Sequence, residues 1–132
     1  METTSRAEEL RERTKSFALR VIRLFRALPK ATEAQVIGKQ LLRSGTSVAA
    51  NYRAACRART RPEFVARLGV VAEEADETVL WLELLCDCGA VQNSRMEALL
   101  TEAKELTAIF SASQKTARNH RVAGPITKLP NY

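Results

Sequence analysis

The stretch LLRSGTSVAANYRAACRART, residues 41–60, contains the pattern that decides the fold. Its apolar residues recur every three or four positions, which is typical of one face of an α-helix. Ser44, Ser47 and Asn51 share that face, where a core helix is normally apolar. A buried amide without a partner costs about 1–3 kcal/mol, so such a polar line needs hydrogen bonds. We therefore predict a buried polar seam that fixes helix register, with a ligand-binding site as the alternative.

The same helical spacing extends outward from this stretch into three further segments. Each apolar stripe follows a capping box, in which Ser or Thr precedes Glu or Gln by three residues. The four boxes are Ser5–Glu8, Thr32–Gln35, Thr60–Glu63 and Ser94–Glu97. They predict helices at about 6–28, 33–58, 61–88 and 95–113. Because short turns make successive helices antiparallel, we expect an all-α, up-down four-helix bundle over 1–113 and a basic, flexible tail over 114–132.

The composition of the chain restricts its class and its surroundings. Its 132 residues are 45% hydrophobic and only 5% aromatic, enough for one helical domain with its own core. An odd number of cysteines, a polar N-terminus and the lack of a long apolar run predict a cytoplasmic protein that does not enter a membrane. The net charge of +6 favours a polyanionic partner, although a solvated surface that binds nothing has the same charge.

The end of the third predicted helix is apolar on every side. Its sequence VLWLELLC, residues 79–86, has a single charged residue. A bundle covers one side of each helix, so the outward side of this segment needs another cover. Trp81 and Leu84 point away from the core stripe, and we predict that they lie in a subunit interface of a homo-oligomer. A loop or the C-terminal tail covering them is the alternative.

Arginines cluster where the second predicted helix meets the third. They are Arg53, Arg57, Arg59 and Arg61, and helix one adds Arg20 and Arg23. The guanidinium group is planar and suits phosphate, so clustered arginines indicate a nucleic-acid surface. The alternative is pairing with the six acidic residues between Leu68 and Ser94, in the same or a neighbouring chain.

The chain has little that indicates catalysis. His120 is the only histidine and falls in the tail, which argues against a histidine-based triad or metal site within the bundle. The stripes lack the Glu and Glu-x-x-His pairs of di-metal bundles, and Cys86 and Cys88 lack a second ligand pair for zinc. We therefore expect no enzymatic activity, no cofactor and no metal.

The ordered motifs of residues 17–110 resemble a known family. Arg43 with Ser44, then Ser47, Val48 and Asn51, an Arg-rich turn at 57–61, and Glu63 with Phe64 look like the signature of 23S ribosomal RNA intervening-sequence proteins. The chain departs from that pattern at Ala54 and Ala55, where many members have a Glu-Gly pair. Any role of that glutamate is therefore absent.

The resemblance implies a four-helix bundle that assembles into a closed homopentamer. The family is also similar to the accessory variability proteins of diversity-generating retroelements, which are basic pentamers that bind nucleic acid and a reverse transcriptase. Two hypotheses follow for this chain. One is an oligomeric accessory protein that binds RNA or DNA, with a nucleic-acid-processing protein as a further possible partner; the other is an oligomeric protein–protein scaffold.

Overall fold

The computed structural model describes residues 5–119, which form four α-helices and no strand. The helices are α1 (Arg6–Ala27), α2 (Thr32–Cys56), α3 (Arg61–Asp87) and α4 (Asn93–Asn119). Of the predicted tail over 114–132, residues 114–119 belong to α4, and residues 120–132, which include His120, lie outside the described part. Within residues 5–119, none of the helices has the length and apolar character needed to cross a membrane.

Two of the four predicted capping boxes supply the side-chain cap of a helix. The hydroxyl of Ser5 accepts a hydrogen bond from the Glu8 amide at 3.1 Å, and that of Thr60 accepts one from the Glu63 amide at 3.2 Å. α2 instead begins at Thr32 itself, with no side-chain cap, and Gln35 donates to the carbonyl of Pro29 at 2.8 Å. The expectation of a cap at Thr32 was therefore wrong.

The fourth helix is longer than predicted at both ends. It begins at Asn93 and continues to Asn119, whereas the apolar stripe predicted 95–113. Ser113 and Ala117 are buried and extend the stripe by another turn. Such small side chains give a weak hydrophobic signal, which is why the sequence pattern ended too early.

Successive helices run antiparallel and pack most extensively as α2 on α3 and α3 on α4. α1 packs on α2 but has much less contact with α4. The core contains fully buried large side chains from all four helices, including Phe17, Leu41, Leu82 and Phe110. Gly45 lets α2 approach α1, because a Cβ at this position would lie 2.8 Å from Cγ2 of Val21. The result is a bundle with a tight α1–α2 contact and an open α1–α4 side.

Candidate functional site

The antiparallel topology gathers basic residues from all four helices at one end of the bundle. Burial raises the pKa of Tyr52, and the charges of Arg11 and Arg6 offset part of that increase. These two arginines therefore lie near Tyr52, which places the start of α1 beside the end of α2. The amide of Gln114 donates to the Val65 carbonyl at 3.3 Å, so the end of α4 lies beside the start of α3. We call this region the arginine end: Arg6, Arg11, Arg53, Arg57, Arg59, Arg61, Arg67, Lys115 and Arg118.

The turn between α2 and α3 leaves its arginine side chains exposed. The amide of Arg57 donates to the carbonyls of Ala54 and Ala55, which ends α2. The carboxylate of Glu63 accepts a hydrogen bond from the backbone amide of Arg59 at 3.1 Å, so its partner is the backbone and not an arginine side chain. Arg53, Arg57 and Arg59 are exposed and Arg61 is half-buried.

These four arginines differ from two others that carboxylates already neutralise. Arg43 on α2 pairs with Glu74 and Glu77 on α3, with a distance of 2.9 Å to Glu74. Arg13 on α1 pairs with Glu102 at 2.7 Å and with Glu105 at 2.8 Å on α4. Between residues 5 and 119, no ion pair involves a side chain of the arginine end. Its carboxylates are Glu8, Glu9, Glu12 and Glu63, fewer than its nine cationic groups.

A basic groove continues from the arginine end along the α1–α2 contact. It encloses about 410 Å³ and is bordered by Arg11, Lys15 and Arg53, with Glu12 as its one acidic residue. Ala49 and Ala50 are among its lining residues, so small side chains leave the floor open. The groove can accommodate a chain of anionic groups that runs parallel to the two helices.

Arg20 and Arg23 do not lie at the arginine end. They border a separate cleft of about 510 Å³ between the second half of α1 and the first turns of α4. Arg95 of α4 completes this arginine cleft, and its floor includes the half-buried apolar side chains of Leu24 and Val91. The six predicted nucleic-acid residues thus form two separate sites. Arg95 was missed because it lies far from the other two in the sequence.

Among residues 5–119, every aromatic side chain is buried or half-buried. Phe17 and Phe110 are fully buried, and the ring of Tyr52 packs against Phe110 with a centroid distance of 5.1 Å. Burial, followed by interaction with Cys56, raises the pKa of Tyr52, so the phenol stays neutral. Stacking on nucleobases requires exposed rings, so these sites are suited to phosphate rather than to bases.

The comparisons with known proteins agree with this architecture. The family model for 23S rRNA-intervening sequence proteins matches residues 7–112. The chain belongs to that family. A crystal structure of a protein of unknown function from the S23 ribosomal protein family of Bacteroides thetaiotaomicron is similar, with 32% identity and a TM-score of 0.78. The match covers 84% of this chain and 99% of that chain. No curated protein matches the sequence.

The polar line is only partly buried in this member of the family. Ser44 is fully buried, and its hydroxyl accepts a hydrogen bond from Thr78 of α3 at 2.8 Å. Ser47 and Asn51 are half-buried, which corrects the prediction that the bundle encloses them. The amide of Asn51 donates to the Ser47 carbonyl at 2.9 Å, within the same helix, so it makes no such bond to α3. The helix-joining role therefore belongs to Ser44.

The outward surface of α3 differs from the prediction in its most exposed apolar residue. Trp81 and Leu84 are half-buried, and the indole of Trp81 donates to the Glu77 carboxylate at 3.3 Å. Leu80 is 46% exposed and was missed, although it lies on the side of the helix opposite Leu82 and Leu85. Four carboxylates share its outward side of α3: Glu73, Asp76, Glu83 and Asp87.

Proposed function

We propose that this family member is a non-enzymatic, cytoplasmic homo-oligomer that binds RNA or DNA through phosphate contacts at the arginine end. Two features support the proposal. The basic side chains of four helices converge there, and the α1–α2 groove extends the positive surface. Guanidinium groups bind phosphate oxygens through paired hydrogen bonds, whichever bases the phosphates link. Binding of this kind does not read sequence.

The observation that carries the proposal is the difference between paired and unpaired arginines. Arg13 and Arg43 already bind carboxylates of their own chain, and these contacts serve the fold. The side chains of Arg53, Arg57 and Arg59 extend into solvent. The backbone hydrogen bonds that form the α2–α3 turn do not involve these side chains. A purely structural role does not require this concentration of like charge, since like charges repel.

Assembly strengthens such weak contacts by repeating them. Five copies is the number that the family resemblance implies, and the exposed Leu80 with half-buried Trp81 and Leu84 supplies apolar surface for association. Several arginine ends on one particle bind one strand with high effective concentration. We infer an accessory role in which the oligomer holds nucleic acid for a processing protein.

The test is binding of unrelated RNA and DNA oligonucleotides at two salt concentrations. We expect affinity to fall with salt at a slope of about −0.9 per neutralised phosphate on duplex DNA and about −0.7 on single strands. Arg57→Glu/Arg59→Glu should weaken binding of every sequence at least about tenfold and flatten the slope, because phosphate contacts are lost. Both readouts come from the same fluorescence-anisotropy titrations.

The matched control is Arg26→Glu/Lys30→Glu, which makes the same change in charge at exposed positions near the other end of α1. It should retain most of the affinity. Equal losses in both variants would mean that net charge, and not the arginine end, determines binding. Absence of binding by the wild type at low salt would refute the proposal and favour the protein–protein scaffold.

A further inference from the structure

The arginine cleft has the chemistry of a docking site rather than of a bare phosphate site. Arg23 and Arg95 are exposed at its edge, and Arg20 is half-buried. Between them lies an apolar floor that includes the half-buried side chains of Leu24 and Val91. Phosphate contacts would engage the edge and leave this floor uncovered. A partner that fits both parts presents an apolar side chain surrounded by carboxylates.

The outward side of α3 presents that arrangement. Leu80 is 46% exposed. Asp76 precedes it by four residues and Asp87 follows it by seven, so all three lie on one side of the helix. Glu73 and Glu83 share this side, and in the range 5–119 neither they nor the two aspartates take part in an ion pair. We call these five residues the acidic face.

The cleft and the acidic face lie at the same height along the bundle. Gly45 of α2 lies directly against Val21 of α1, and its neighbour Ser44 bonds to Thr78 of α3. Val21 and Thr78 are therefore level. Arg20 and Arg23 lie on either side of Val21 in the sequence. Leu80 lies within one turn of Thr78. Rotation about an axis parallel to the helices preserves height, so such a rotation can bring one copy's acidic face to the next copy's cleft.

Within a single chain, these two surfaces lie on different sides of the bundle. α3 packs mainly on α2 and α4, whereas the cleft opens between α1 and α4. The outward side of α3 is therefore directed away from the cleft of its own chain. Opposite charge and matching apolar groups on different sides of one molecule favour a head-to-tail contact between identical copies.

We propose that the acidic face of one copy docks into the arginine cleft of the next, with Leu80 against the apolar floor. Asp76 and Asp87 pair with arginines at the edge of the cleft, and water is excluded from the leucine between them. The contact is heterologous, so repeating it generates a ring when the rotation closes. The inference rests on the proposed homo-oligomer and names the two surfaces that build it.

Charge reversal on each side tests the contact. Arg23→Glu/Arg95→Glu alters the cleft, and Asp76→Arg/Asp87→Arg alters the face, all at exposed positions. Each pair replaces attraction by repulsion, so we expect the subunit dissociation constant to rise at least about tenfold. At micromolar concentration, native mass spectrometry should show the 14.7 kDa monomer for either variant and a larger species for the wild type.

Combining all four substitutions in one chain should restore assembly, because the charges are again opposite. Equimolar mixing of the two pair variants should also produce larger species, and it serves as a second test if the combined chain does not fold. Arg26→Glu/Lys30→Glu is the matched control and should assemble like the wild type. Circular dichroism should confirm that each variant retains its helices.

The inference would be overturned if Arg23→Glu/Arg95→Glu forms a species of the same mass as the wild-type assembly. It would also be overturned if the chain with all four substitutions folds but stays monomeric. A cleft variant that loses oligonucleotide affinity at unchanged mass would do so too, and would make the cleft a nucleic-acid surface. The two proposals fail separately. A wild-type monomer that still binds oligonucleotides overturns the docking contact alone, whereas an assembled protein without oligonucleotide binding overturns the nucleic-acid function alone.

Discussion

Replacing Gly45 by alanine tests how closely α1 and α2 approach. The new Cβ would lie 2.8 Å from Cγ2 and 2.9 Å from Cγ1 of Val21. Carbon atoms in contact prefer about 3.5–4.0 Å, so one of the two residues must move. Val21 is fully buried and β-branched, and such a side chain has essentially one rotamer in a helix. The strain therefore moves the α1 backbone.

Two opposing terms decide the sign of the effect on stability. Alanine is favoured over glycine inside a helix by about 1 kcal/mol. Overpacking a filled core costs about 1–3 kcal/mol. The net effect is a loss of about 0–2 kcal/mol. We expect Gly45→Ala to lower the free energy of unfolding by about 1 kcal/mol, and by about 2 kcal/mol if α1 resists displacement.

Gly69→Ala is the matched control on α3. A Cβ there would meet the amide of Gln114, which is the far end of a flexible, half-buried side chain. Gln114 can turn away at the cost of its 3.3 Å hydrogen bond to Val65, which offsets the helix-propensity gain. Gly69→Ala should therefore remain within about 0.5 kcal/mol of the wild type, since one neutral hydrogen bond is worth about 1 kcal/mol.

Urea unfolding at fixed protein concentration measures both variants through the midpoint and the slope. Gly45→Ala should unfold at lower urea with an unchanged slope. Adding Val21→Ala to Gly45→Ala should cost less than the sum of the single effects, because the clash is removed. A Gly45→Ala variant that is more stable than the wild type would refute the reasoning.

Two further predictions concern polar contacts between helices. In a double-mutant cycle of Ser44→Ala and Thr78→Val, we expect a coupling of about 1 kcal/mol from their buried hydrogen bond, and purely additive effects in urea unfolding would contradict it. The hydrogen bond from Arg13 lowers the pKa of Glu102, so the charged carboxylate stabilises the fold at neutral pH. That stability is lost as pH falls through the lowered pKa, so the stability gap between wild type and Glu102→Gln should narrow below about pH 4. A gap of the same size at pH 7 and pH 3 would show that the ion pair contributes nothing.

Much of the fold follows from local pattern. The apolar stripes predict all four helices, and Ser5 and Thr60 mark the starts of α1 and α3, because caps and periodicity act within a few residues. The early end predicted for α4 shows the limit of that signal. Ser113 and Ala117 are buried by packing against other helices, and small side chains do not announce such burial in the sequence.

The candidate sites depend more on tertiary structure. The arginines at 53–61 could be found because they are neighbours in sequence. The separation of Arg20 and Arg23 from them, and the addition of Arg95, follow only from the antiparallel order of the helices. The prediction for α3 chose Trp81 and Leu84 because they point away from the core stripe, whereas packing in the bundle leaves these two half-buried and Leu80 the more exposed. Both proposed surfaces can therefore be identified only in the folded bundle, and not from the sequence.

The sparse contact between α1 and α4 gives the molecule a weak side. A helix held mainly by one neighbour opens locally before the rest of the domain, so the amides of α1 should exchange hydrogen earliest among the four helices. α1 supplies Arg11 and Lys15 to the basic groove and Arg20 and Arg23 to the arginine cleft. Release of this one helix removes both surfaces together, and occupation of either surface slows the release. Nucleic-acid binding and assembly would then reinforce each other through the order of α1, without any direct contact between the two partners.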